Sequence, residues 1–236
     1  RLIRMRERKS VLLTRSEFLG KTGRLIAGGL ALSGLRPRLR GEDLRALEKS
    51  GVKRWDVITI GNLSRNRFWG EGDDKPVRTA VCTCTLVVTA AARLLVDPSI
   101  ADADRMAAEL DRRAGLKPSG ISAVFLTHEH ADHLAGLPHF PGARWLAAPA
   151  AAEAINKTGR FERKVERAGS RLWDAIDVLP TPGHTKTHHS LRFECDGRIV
   201  VVAGDAVPTA DHFRSRAGLF NSESFEAASR TMDDLA

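Results

Sequence analysis

The chain has no tyrosine at all, and aromatic residues make up only 6% of its 236 positions. No phenol can therefore act as acid, hydrogen-bond donor or electrophile in any site it builds. Cysteine is nearly as scarce: Cys82, Cys84 and Cys195 cannot all pair with one another, so a disulfide framework is not what holds the fold. A chain of 236 residues does not need one, because it is long enough to bury a sizeable core. Long apolar runs are missing too, and nothing approaches the ~20 residues that cross a bilayer as a helix. Acidic residues fall short of basic ones, 29 against 37, for a net charge of +8.

That positive excess is local. Residues 1–54 carry 15 Lys and Arg against 5 Asp and Glu, which leaves 22 against 24 for residues 55–236. The body is close to neutral, so nucleic acid is not an expected partner, and the basic character belongs to a leader. Within that leader, Thr14-Arg-Ser-Glu-Phe-Leu-Gly-Lys21 precedes a Gly- and Ala-rich stretch from Leu25 to Leu35. The layout resembles a twin-arginine export signal, with Ser16 where the second arginine belongs. Export to the periplasm is the expectation. The alternative is an amphipathic helix packed on the domain of a cytoplasmic protein. The chain opens on Arg1 and closes on Ala236 inside a helical pattern (Phe225, Ala228, Met232, Leu235), which reads as a partial sequence.

From Trp55 the pattern turns to short β-branched runs. Val57–Ile60, Ala80–Val88, Arg93–Val96, Ile121–Leu126, Ala143–Ala147, Leu172–Leu179, Ser190–Glu194 and Ile199–Ala203 read as strands. Ala101–Ala114 has apolar residues at helical spacing and stops at Gly115. The segments from Ala150 to Ile155 and from Ser222 onward also read as helices. Cys82 and Cys84, two apart on a strand, share a face and read as small buried hydrophobes, since no further thiol cluster completes a metal site. Strands followed by strands mixed with helices suit a layered α/β or α+β sandwich, with helices outside packed sheets.

The chemistry concentrates in Thr127-His-Glu-His-Ala-Asp-His133, where a buried strand runs into three histidines and an aspartate. Imidazole and carboxylate are ligands that zinc and iron prefer. His128 and His130 can aim the same way, while Asp132 and His133 fall where the chain turns into a helix and face a second point nearby. Downstream, Leu179-Pro-Thr-Pro-Gly-His184 holds a histidine in a turn stiffened by prolines, and Ile199-Val-Val-Val-Ala-Gly-Asp205 delivers a carboxylate at a strand exit.

Taken together, these stretches resemble the metallo-β-lactamase superfamily from about Trp55 onward. Thr127–His133 looks like its His-x-His-x-Asp-His motif, Pro182-Gly-His184 like its third-histidine motif, Gly204-Asp205 like its bridging aspartate, and Leu95-Val-Asp97 like the early strand ending in a structural Asp. The resemblance implies an αββα sandwich and a site for two divalent metal ions, zinc first, with iron or manganese as alternatives. His128, His130 and His184 would hold one ion, Asp132 and His133 the other, and Asp205 both. The family's last histidine has no counterpart; His212 lies too close to Asp205 to replace it. His188 and His189, at the start of a strand, read first as ordinary strand residues, with the alternative that one of them lines the pocket or holds a bond behind the ligands; His139 reads as a helix-end residue and Glu129 as solvated.

The implied activity is hydrolysis of a small ester, thioester, lactone or phosphoester by a water that two metals acidify, with Asp132 orienting it. An iron-dependent oxidoreductase of the persulfide dioxygenase kind uses nearly the same ligands, and a metal-binding protein of impaired activity is the third reading. Some lactonases of the family place a tyrosine after the bridging aspartate, where Ala206-Val-Pro208 stands here, which weighs against a lactonase.

Overall fold

Alternation of side chains along four short strands gives the first sheet two apolar faces. In the computed structural model, which describes residues 51–72 and 75–236, the sheet order is β1 (Val52–Thr59), β2 (Cys84–Thr89), β3 (Arg93–Val96), β4 (Ala123–Leu126), β5 (Arg144–Ala147) and β6 (Glu166–Arg167). Strands β1 to β3 pair antiparallel, and β3 to β6 parallel. Leu86, Leu95, Val124 and Leu126 project to one side, and Val87, Leu94, Val96 and Phe125 to the other. Burial on both faces is why these runs are apolar throughout and not alternating.

The second sheet reads differently because only one of its faces meets the first. It is antiparallel, in the order β10 (Arg198–Val202), β9 (His189–Cys195), β8 (Ile176–Pro180) and β7 (Arg171–Leu172). Ile176, Val178, Leu191 and Phe193 pack against Leu94 and Phe125 of the first sheet, each worth roughly 1.5–3 kcal/mol of burial. Asp177 and Arg192 face outward and pair at 2.9 Å.

Helices cover the far face of the first sheet. In α1 (Ala103–Ala114), Met106 and Leu110 are buried, Asp102 caps the start by accepting from the Arg105 amide, and Gly115 in left-handed conformation ends it. That cap moves the start two residues past the expected Ala101. The one-turn helix α2 (Ala131–Leu134) and α3 (Pro149–Lys157) follow β4 and β5, while α4 (Ala210–Ser215) and α5 (Phe225–Asp234) come after β10. The result is the α+β two-sheet sandwich that the resemblance implies. Among the described residues, no helix is long and apolar enough to cross a membrane.

Several boundaries differ from the sequence reading. The expected strand Ala80–Val88 begins only at Cys84, after an isolated bridge between Asn62 and Val81, so Cys82 lies outside it. The run Leu172–Leu179 is two strands, because Trp173 and Asp174 both take positive φ and fold the chain into a hairpin. Strand β1 takes in Val52–Arg54 from the segment read as leader. The export motif itself lies outside the described residues.

Parallel pairing of β3 with β4 has one functional result. Both strands end at the same edge, so Asp97 after β3 and Thr127-His128 after β4 emerge side by side.

Candidate metal centre

Asp97 is the hub of that edge. Its buried carboxylate accepts from the Thr127 amide at 2.9 Å and from the Thr127 hydroxyl at 2.8 Å. His133 Nδ1 lies 2.9 Å from the same Oδ2, and a carboxylate can only accept, so that nitrogen carries the proton. The Thr127 proton is spent on Asp97, so Thr127 Oγ1 accepts from His128 Nδ1, 3.0 Å away. One carboxylate thus turns the Nε2 atoms of both His128 and His133 away from itself, that of His128 as a bare lone pair.

Three imidazole nitrogens then converge. His130 Nδ1 is 3.0 Å from His128 Nε2 and 2.8 Å from His184 Nε2. A single Nδ1 has one proton or one lone pair to offer, so it cannot satisfy both neighbours. A divalent cation in their midst would take all three lone pairs at once, and imidazole is a ligand that such ions prefer. The donor set fits such an ion. A second set adjoins it: His133 Nε2 is buried with no hydrogen-bond partner, 3.4 Å from Asp205 Oδ1 and 3.9 Å from Asp132 Oδ2. Asp205 Oδ2 lies 3.3 Å from His184 Nε2, so this carboxylate reaches both sets.

His184 is aimed by backbone. Gly183 (φ 140°) lets the turn after β8 touch α5, where a Cβ would come within 2.4 Å of Ala228 Cα. The amides of Glu223 and Ser224 donate to the carbonyls of His184 and Gly183 at 3.0 Å, and the Thr231 hydroxyl to that of Pro182 at 2.7 Å. His184 Nδ1 is buried and unpartnered.

Electrostatics divides the histidines. Burial, aided by the imidazoles around it, holds His128 well below the usual histidine value, and burial takes His184 down to about 4 and His188 to about 3. These rings are neutral and their lone pairs available. Burial also opposes a charge on His133, yet the carboxylates of Asp97 and Asp205 outweigh it and hold this ring well above the usual value. Asp205 is the mirror case: burial resists its ionisation, but His133 first and then His184 keep its carboxyl below the carboxylate range.

All six residues expected from the sequence lie at this edge, with Asp132 the most peripheral of the six. The expectation that His188 is an ordinary strand residue does not hold. It precedes β9, is fully buried, and its ring centroid lies 4.9 Å from that of His128. Glu129 is not simply solvated: it is half-buried and accepts a hydrogen bond from Thr187. Cys82 is buried as expected, but it sits beside Asp97 and His133, and burial pushes its thiol up to about 11. His212 bonds Thr209 at 2.8 Å and meets the Phe68 ring edge-on, outside the cluster. Thr127 was missed; the sequence signal was its position between a buried strand and the first histidine.

Asp132, His133 and Asp205 open onto a cleft of about 1040 Å³, walled in part by Ile60, Trp69 and Leu219. Arg78 stacks over Trp69 at 5.6 Å and pairs with Glu71, closing the loop that carries this indole. Trp69 stays 57% exposed at the cleft, an apolar surface beside the polar centre.

Histidines and carboxylates thus meet at one edge of a two-sheet sandwich. Residues 77–234 match the metallo-beta-lactamase superfamily, and the chain belongs to it. A hydroxyacylglutathione hydrolase of Xanthomonas axonopodis pv. citri is 36% identical over 119 residues, 48% of this chain and 42% of that protein. The chain thus spans less than half the length of the curated relatives it matches. Among solved structures, a quorum-quenching N-acyl homoserine lactone lactonase superposes with a TM-score of 0.61 at 22% identity, over 79% of this chain and 87% of that one. A B. thuringiensis AiiA variant with N-decanoyl-L-homoserine at its active site gives 0.60 at 21% identity, over 78% and 88%. Likeness at this identity speaks for the fold.

Proposed function

We propose that this chain is a metal-dependent hydrolase of small acyl compounds: esters, thioesters or lactones. The observation that carries the reading is the convergence of His128 Nε2, His130 Nδ1 and His184 Nε2, with Asp205 spanning from that trio to the Nε2 of His133. His128, His130 and His184 would hold one divalent ion, His133 and Asp132 a second, and Asp205 would be shared. Such ions supply Lewis acidity and bring the pKa of water towards neutrality.

The chain's own residues do the rest. Asp97 holds the Nδ1 side of His133 directly and that of His128 through Thr127, so both rings turn Nε2 towards the ions without reorienting, His133 giving up its Nε2 proton on binding. Asp132, part-exposed at the cleft, is set to orient a water and take up its proton. The apolar wall by Trp69 receives the acyl portion and keeps bulk water from the reacting carbonyl. Relatives acting on a hydroxyacylglutathione and on acyl lactones support attack at acyl carbon over phosphorus. Zinc is the favoured ion for a set of imidazoles and carboxylates.

The test is purification of the full chain without added metal, elemental analysis, and a panel of thioesters, lactones and simple esters assayed with zinc, manganese and iron. Near-stoichiometric zinc and hydrolysis abolished by His130→Ala are expected. Stoichiometric iron with oxygen uptake and no hydrolysis would replace this reading with an oxidoreductase.

A further inference from the structure

One buried histidine stands against the candidate ligands without joining them. His188 is fully buried, and Thr181 Oγ1 lies 2.8 Å from its Nδ1. The protons along this line can be assigned. Ser190 Oγ donates to the Ala203 carbonyl at 3.1 Å, so it must accept from Thr181 Oγ1 at 2.8 Å. Thr181, its proton spent, accepts from His188 Nδ1. The opposite nitrogen, Nε2, is therefore a bare lone pair, buried and without any hydrogen-bond partner.

That lone pair is aimed at the turn that carries Asp205. A Cβ on Gly204 would lie 2.9 Å from His188 Nε2 and 3.1 Å from Thr127 Oγ1. Gly204 also takes φ 52°, so glycine is required there on two counts. The other flank of the ring leans on His128 at a tilt of 36°. The same line that locks the ring ends on Ala203, one residue before the glycine. His188 thus touches the turn from the side and grips it from behind.

We propose that His188 is a positioning residue for Asp205: a wedge of fixed tautomer that seats the Gly204–Asp205 turn against His128. Its bare Nε2 has no proton to offer a carboxylate, and the oxygens of Asp205 face His133 and His184. This rests on the reading of Asp205 as the ligand shared by two ions. A plain apolar filler would avoid the cost of an unpartnered buried nitrogen, but it would give Asp205 no fixed neighbour.

Cobalt titration of the full chain, followed by its visible absorption, separates this role from general stability. In the unmodified chain two ions should bind. His188→Ala should keep the ion of the three histidines and weaken the second by roughly tenfold or more. His188→Asn, which retains an N–H towards Thr181, should recover part of that loss at an unchanged thermal midpoint. Gly204→Ala should weaken the second ion as well, and adding His188→Ala to it should cost less than the two losses combined, because the clash is relieved. Equal weakening of both ions, or no weakening of either, overturns the proposal while leaving the hydrolase reading intact. Failure of the unmodified chain to bind any cobalt overturns that reading, and the proposal with it.

Discussion

His128 and His133 are aimed by one buried carboxylate; His184 is aimed by a turn pressed against α5. The first pair is oriented from Asp97 through three hydrogen bonds, two of them meeting at the Thr127 hydroxyl. His184 has no such relay, and its Nδ1 is unpartnered. Its direction comes from three backbone carbonyls held by residues of 223–231. The same task is thus done by charge on one side of the centre and by packing on the other. Electronic disturbance should strike the first pair, and steric disturbance the second.

The largest effect should come from Asp97→Asn, which sets an amide donor among groups that need acceptors. Metal affinity should fall by up to ~100-fold at both sets, read by competition with a chelator. A loss under threefold would mean that the carboxylate does not aim the rings. Next is Gly183→Ala, whose Cβ would collide with the α5 backbone. It should cost about tenfold in affinity, confined to the ion of His184, and leave the His133 set nearly unchanged.

A smaller effect is the pH profile of chelator-treated protein. His128, His184 and His188 have lowered values, so the unfolded chain takes up more protons than the folded one as pH falls below ~6.5, and stability drops on that side. His133 has a raised value, so its contribution is complete below ~6.5 and is lost as pH climbs through that raised value. Thermal midpoints should therefore peak near pH ~6.5, with the acid limb steeper than the alkaline one. A steeper alkaline limb would contradict the charge division. Smallest of all, Thr231→Val removes one donor to Pro182 and should cost about 1 kcal/mol, measured by denaturant melts.

What could be read from sequence was what is local in sequence. The ligand-type residues of 128–133 sit within six positions, and strand runs such as Val124–Leu126 carry their burial in their composition. The two-sheet architecture followed from those runs plus the resemblance, while the order of strands within each sheet came only with the structure. What could not be read spans distance: Asp97 to Thr127 crosses 30 residues, and Thr231 to Pro182 crosses 49. His188 escaped because a strand-start histidine and a wedge histidine look the same until the facing glycine, 16 positions on, is brought against it. The hairpin at Trp173 and Asp174 was missed for a different reason: aspartate does favour positive φ among non-glycine residues, but a bulky tryptophan beside it does not, and the pair lacks the glycine that usually marks such a turn.

The side-by-side exit of β3 and β4 has a consequence for how such a chain can change. Everything that grips lies on short connections rooted in two sealed cores, while part of the wall that would meet a guest lies on the separate stretch of 60–72, tethered by Arg78 and Glu71. Grip and taste are carried by different threads. Lengthening or recolouring that outer stretch can redirect preference among guests without disturbing the anchor beneath it.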